Sequence, residues 1–196
     1  MTTKSSSQLI NDLKCIPSPV FYIFAAVALF SAFFVMGFTV RSLFTALFLL
    51  MLVACASADI NKGIVPDLIV ILIAVTGIIN FFVIEGFSIK GLTDHLIGAV
   101  CVSVPMLLIT LLVKGAFGGG DIKLTAAAGL FLSWRFVLAG TLLGMFISGF
   151  YGIYLLLLKK AEKKSKIKLV PFLAYGLATV ALFGEQLIRL AVPGMY

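Results

Sequence analysis

The run SLFTALFLLMLVACASADINKG, Ser42–Gly63, decides the class of this chain. From Ser42 to Ala58 it carries no charge, and Asp59 then stands directly at the end of the apolar stretch. No two-residue alternation of apolar and polar side chains runs through it, so it does not read as a half-buried strand; a helix of about 20 apolar residues is what crosses a bilayer. The remainder is of the same kind: of 196 residues, 62% are hydrophobic and 12% charged, with a mean hydropathy of +1.19. A soluble domain of this length lacks the interior to hide so much apolar surface. Long apolar runs, in place of ten-residue alternating segments, exclude a membrane β-barrel. The fold class is therefore all-α, a polytopic integral membrane protein.

Residues 1–18 read as a polar N-terminal tail and residues 19–196 as one helical membrane domain. Apolar runs over Pro19–Phe38, Ser42–Ala58, Ile64–Ile84, Leu92–Val113, Phe136–Leu158 and Pro171–Leu190 read as spans. The first is too long for the apolar core of a signal peptide and lacks a small-residue cleavage site, so it counts as a span. IKLTAAAGLFLS, Ile122–Ser133, is a shorter piece. As a helix it covers about 18 Å at ~1.5 Å per residue, against a hydrocarbon core of about 30 Å. It is either a truncated crossing or the start of a helix that continues past a bend at Trp134. The count is about seven spans, or six if this piece does not cross. No internal repeat is visible.

Orientation follows from the lysines and arginines. With the N-terminus in the cytoplasm, eleven basic residues fall on cytoplasmic segments and four, Arg41, Lys90, Arg135 and Arg189, on the far side, accounting for all 15. The run Lys159–Lys168 reads as a topological anchor on the cytoplasmic face. The net charge of +7 thereby finds its partner in the lipid bilayer, and no nucleic-acid partner is expected. Cys15, Cys55 and Cys101 lie far apart and form no C-x-x-C pair, which leaves no zinc or disulfide framework. The single histidine, His95, cannot supply an H-E-x-x-H site. No metal and no cofactor are expected.

Two aspartates stand out. Asp59 closes the second span and Asp121 opens the segment after the fourth, so two crossings separate them and both return to the cytoplasmic rim. Charge near lipid is expensive and points to function. Asp121 follows Gly118, Gly119 and Gly120 in KGAFGGGDIKL, Lys114–Leu124. Capping the next helix would not require three glycines. Glycine permits backbone conformations closed to other residues and close approach to another segment. At membrane depth such irregular backbone is tolerated where it is packed in protein or lines a wet cavity.

FGGGDIKL resembles the G-x-G-D-x-K-L signature of the type IV prepilin peptidases, a family of G-x-G-D aspartyl membrane proteases. DINKGIVPDLI, Asp59–Ile69, is similar to the family's D-x-x-x-x-x-I-P-N-x-L: Asp59 and Pro66 match, Val65 and Ile69 are conservative, and Asp67 replaces asparagine. LVPFLAYG, Leu169–Gly176, resembles a shortened form of its IPFGPFLAxG motif. The three occur in family order over roughly residues 50–190.

The resemblance implies an aspartyl endopeptidase of the inner (cytoplasmic) membrane, its active site facing the cytoplasm. It would remove the short basic leader of prepilin or pilin-like precursors of type IV pilus or secretion systems. Asp59 and Asp121 would be the catalytic pair, sharing one proton: the ionised member takes a proton from water while the other polarises the scissile carbonyl. Gly118, Gly119, Gly120, Lys123, Pro66 and Asp67 would support the site or contact substrate, the glycines by admitting an extended strand. The larger family members carry a cysteine-rich cytoplasmic domain with two C-x-x-C pairs. None occurs here, so a compact, peptidase-only form is expected, without N-methyltransferase activity. The alternative reading is a proton- or cation-coupled transporter using the same carboxylates. Oligomeric state is not legible.

Overall fold

The computed structural model of the chain describes residues 19–113, 115–158 and 168–191. The expected tail at 1–18, Lys114 and the basic run over 159–167 lie outside the described residues. The elements are α1 (Pro19–Met36), α2 (Val40–Lys62), α3 (Asp67–Asn80) with a wider π turn at Phe81–Glu85, α4 (Ile89–Cys101), α5 (Ser103–Leu112), α6 (Gly119–Leu157) and α7 (Val170–Ala191). The all-α class stands. Val40–Lys62, Asp67–Ile84, Ile89–Leu112 and Gly119–Leu157 are long and apolar enough to cross a membrane, and Phe21–Met36 and Val170–Gly184 are shorter apolar helices.

Helix ends are set by local chemistry. At the start of α2, Thr39 Oγ1 accepts from the Ser42 N–H at 3.1 Å while Ser42 Oγ accepts from the Thr39 N–H at 3.0 Å, a reciprocal cap that satisfies two donors. At the far end Gly63, in the left-handed region at φ 65°, caps the helix and donates to the Asp59 carbonyl at 2.8 Å. The helix therefore runs past the expected end at Ala58, and Asp59 lies in its last turn. The α4/α5 break falls at Val102, three residues before Pro105, which has no N–H for the Cys101 carbonyl.

The two pieces expected at Ile122–Ser133 and Phe136–Leu158 form one element. α6 holds 39 residues, about 58 Å as a straight helix, nearly twice a hydrocarbon core. It is broken at Ser133, whose φ of 67° and ψ of 171° are not helical. Neither glycine nor proline causes this. α4 packs so tightly here that a Cβ at Gly98 would lie 2.5 Å from the Gly129 carbonyl oxygen and 2.9 Å from both Ser133 C and Trp134 N. A regular helix would pair the Leu130 carbonyl with the Trp134 N–H. At the break His95, buried against the Phe81 ring, places Nδ1 2.7 Å from the Leu130 oxygen. A carbonyl only accepts, so Nδ1 is the protonated nitrogen of the ring.

α6 is the central element, packing against α3, α4, α5 and α7. Small residues let the backbones meet, as expected where lipid offers helices no hydrophobic drive to associate. A Cβ at Gly176 of α7 would lie 2.2 Å from the Gly140 oxygen, and one at Gly77 of α3 would lie 2.8 Å from the Phe131 nitrogen. Between these crossings Phe48 of α2 stacks on Phe131 with centroids 4.3 Å apart. Two buried hydroxyls return to their own helix, Thr125 to the Asp121 carbonyl at 3.0 Å and Thr45 to the Arg41 carbonyl at 3.0 Å, which satisfies polar groups away from water. The outward faces are apolar, with Phe34, Leu112, Phe146 and Phe150 all exposed.

Candidate active site

Asp59 and Asp121 reach one end of the bundle from opposite helix ends, the last turn of α2 and the first turn of α6. Both are buried, at 7% and 9% exposure. They lie close enough for the charge on Asp59 to act on Asp121. Asp121 Oδ2 accepts the Gly118 N–H at 3.0 Å, a contact that orients the carboxylate at the positive end of α6. Asp59 Oδ2 is buried with no hydrogen-bond partner among the described residues. A buried carboxylate oxygen left in that state is costly unless something else occupies it.

The segment after α2 closes over this corner. Pro66, extended at φ −66° and ψ 119°, starts α3, and Asp67 follows in the first turn. Lys123 Nζ donates to Asp67 Oδ1 at 2.8 Å, linking the starts of α3 and α6. The two side chains are 67% (Asp67) and 57% (Lys123) exposed, so the pair adds under about 1 kcal/mol of stability. Its effect is on register. Asp67 and Lys123 thus meet each other at the mouth.

Of the two uses expected of the glycines, unusual backbone and close approach, the structure has the second. None of Gly118, Gly119 and Gly120 is in the left-handed region; Gly118 is extended at φ −77°, and the other two are in the first turn of α6. Their value is closeness. A Cβ at Gly120 would lie 2.6 Å from Val65 Cγ2 and 2.8 Å from Val65 Cβ, and one at Gly118 would lie 3.0 Å from Asp121 Oδ2. Gly119 faces open space, with nothing within 4 Å of its position. Gly120→Ala must displace a β-branched neighbour anchored beside Pro66, so it moves Asp121 relative to α2. We expect at least a tenfold loss of turnover from Gly120→Ala, on the scale set by misplacing a reacting group by about 1 Å. Gly119→Ala is expected to stay within about threefold of wild type on the same scale; parallel kinetics on the two variants check this.

Sequence reasoning missed two contributors. The Lys168 ammonium and the Val170 backbone N–H both act on the Asp59 carboxylate, and both belong to the entry into α7. Their only advance signal was adjacency to LVPFLAYG, since Lys168 otherwise passed for the end of an anchoring run. His95 and Cys101, by contrast, turn to backbone carbonyls, of Leu130 and Gly98. A separate cavity of about 460 Å³ is lined by Thr39, Arg41, Asn80, His95 and Gln186 among others. It lies at the opposite end of α2 from Asp59 and contains neither acid.

The family model for the type IV leader peptidase family matches residues 46–153, a stretch that includes both acids. A prepilin leader peptidase/N-methyltransferase of Aeromonas hydrophila is 32% identical over 143 residues, covering 70% of this chain and 48% of that protein. The protein of that name from Pseudomonas aeruginosa is 30% identical over 144 residues, covering 70% of this chain and 48% of its own length. The one from Bacillus subtilis is 26% identical over 145 residues, covering 72% and 56%. The chain thus spans about half the length of the curated relatives it matches. No solved structure matches it. With a family model running through both acids and over more than half of its residues, the chain belongs to the type IV leader peptidase family.

Proposed function

We propose that this chain is a membrane-embedded aspartyl endopeptidase that removes the N-terminal leader of prepilin or pilin-like precursors at the cytoplasmic membrane face. The observation that carries the reading is the burial of Asp59 and Asp121 at one end of the bundle, within range of each other's charge, with Asp59 Oδ2 unpartnered among the described residues. Two carboxylates brought together in a buried site would hold one proton between them. The ionised member takes a proton from water as it attacks the scissile carbonyl. The protonated member donates to the carbonyl oxygen, then assists departure of the amine. The proton belongs to the pair, so the acid and base roles are left unassigned. The open space beside Gly119 is where an extended substrate would lie against the start of α6. Cytoplasmic placement is supported by the lysine distribution, and the substrate class by the names of the relatives. The N-methyl transfer in those names is not proposed for this chain.

The test is co-expression with a panel of prepilin-like precursors, with the new N-termini read by mass spectrometry. A single cut at the junction between leader and hydrophobic helix is the expected result. Intact precursors throughout, together with acid-dependent proton or cation flux in proteoliposomes, would overturn the reading in favour of transport.

A further inference from the structure

Lys168 sits at the entry to α7, outside every motif that suggested a function. Its ammonium donates to the carbonyl of Ile60, one residue beyond Asp59 in the last turn of α2. Terminal carbonyls of a helix lack intrahelical partners, and a cation there complements the negative end of the helix dipole. Lys168 also acts on the Asp59 carboxylate, as does the Val170 N–H two residues on. The entry to α7 therefore brings one cation and one backbone donor onto the same acid. Among the described residues, the other charged groups at this end of the bundle are Asp121 on α6, Lys62 in the last turn of α2, and the Asp67–Lys123 pair at the starts of α3 and α6.

We propose that Lys168 is a positioning residue of the acid pair: tied to the Ile60 carbonyl over the end of α2, it docks α7 there and sets its ammonium beside Asp59. The inference rests on the peptidase reading of those acids. A neighbouring cation favours the singly ionised pair over the fully protonated one. Without it the pair takes up its second proton at a higher pH, so the acid limb of the activity profile moves towards neutral. For a largely exposed lysine the displacement is at the small end of the range for close opposite charges, about one pH unit.

The experiment is a pH profile of kcat/KM for the full chain in membranes, comparing wild type with Lys168→Gln, Lys168→Met and Lys168→Arg. Glutamine keeps a donor for the Ile60 carbonyl and removes only the charge. The expected result is an acid limb displaced upward by about one unit for Lys168→Gln, about tenfold less activity below the limb, with Lys168→Arg close to wild type. Lys168→Met should show the same displacement with a lower plateau. Profiles for the neutral variants that differ from wild type only in height would overturn the proposal and leave Lys168 a structural tie. If Lys168→Gln fails to accumulate, Lys168→Met decides on the same criterion; if both neutral variants fail while Lys168→Arg is normal, a docking role alone remains and the electrostatic part is overturned. Failure of the peptidase reading shows separately, as undiminished cleavage by Asp59→Asn and Asp121→Asn.

Discussion

Asp59→Asn and Asp121→Asn are each expected to lower kcat/KM for leader removal by about a thousandfold or more, while the protein inserts and accumulates as wild type. The magnitude follows from what each variant removes. A positioned acid or base contributes about 10²–10⁴-fold, and in the proposed mechanism the pair shares one proton, so an amide at either position would end both roles. The substitutions are isosteric and replace a buried ionisable group by a neutral one, so the packing of α2 and α6 is not disturbed. Because the acids act as a unit, the double variant should be no slower than the slower single variant, within about threefold, the non-additivity expected of one device. The measurement is single-turnover cleavage of a purified precursor in detergent, with membrane levels quantified alongside. Full activity in either single variant would remove that residue from the mechanism, and Asp67 would be tested next.

The second large effect concerns assembly. Gly129→Ala is expected to abolish the native packing of α4 on α6. A Cβ there would sit 2.1 Å from the Gly98 oxygen, 2.3 Å from the Gly98 carbonyl carbon and 2.7 Å from the Ala99 nitrogen. All three are backbone, so no side-chain rotation relieves the clash. The ordinary cost of overpacking, about 1–3 kcal/mol, assumes neighbours that can shift. Here the whole of α4 must move, taking His95 away from the Leu130 carbonyl. Gly149→Ala, on the same helix with nothing within 4 Å of its position, is the control and should gain about 0.5–1 kcal/mol. Thermal unfolding in detergent should separate the two by well over 5 °C. Equal midpoints would mean that α4 and α6 do not cross at these glycines.

The helical membrane class and the position of most helices were legible because apolar runs report directly on what must face lipid. The return of both acids to one end was legible by counting crossings. The break was legible in place, as the alternative of a bend at Trp134, but not in cause. LFLSWRF contains no residue that breaks a helix by itself, and the cause lies in α4, more than thirty residues earlier. Trp134 and Arg135 interrupt the apolar run, which left truncation and continuation past a bend both open; in the structure the Arg135 guanidinium lies over the Trp134 ring at 5.3 Å and α6 continues past the break. Of the two reasons given for the glycines before Asp121, close approach holds at Gly120 and freedom of φ is not used. Composition cannot distinguish freedom of φ from room for a neighbour. Lys168 was invisible for a similar reason, since a basic run marks a side of the membrane without saying which lysine touches what.

The ties at the acid end also impose an order on biosynthesis. Asp67 and Lys123 are 56 residues apart in the chain, and Ile60 and Lys168 are 108 apart. A ribosome releases α2 with Asp59 long before Asp121 or Lys168 exists. Every nascent intermediate that stops short of α7 therefore carries its first acid into the membrane without the cation and backbone donor that later face it. The cation and the backbone donor join the acids only when the last helix docks, so a chain stalled before α7 holds both acids without the contacts that flank Asp59 in the finished fold.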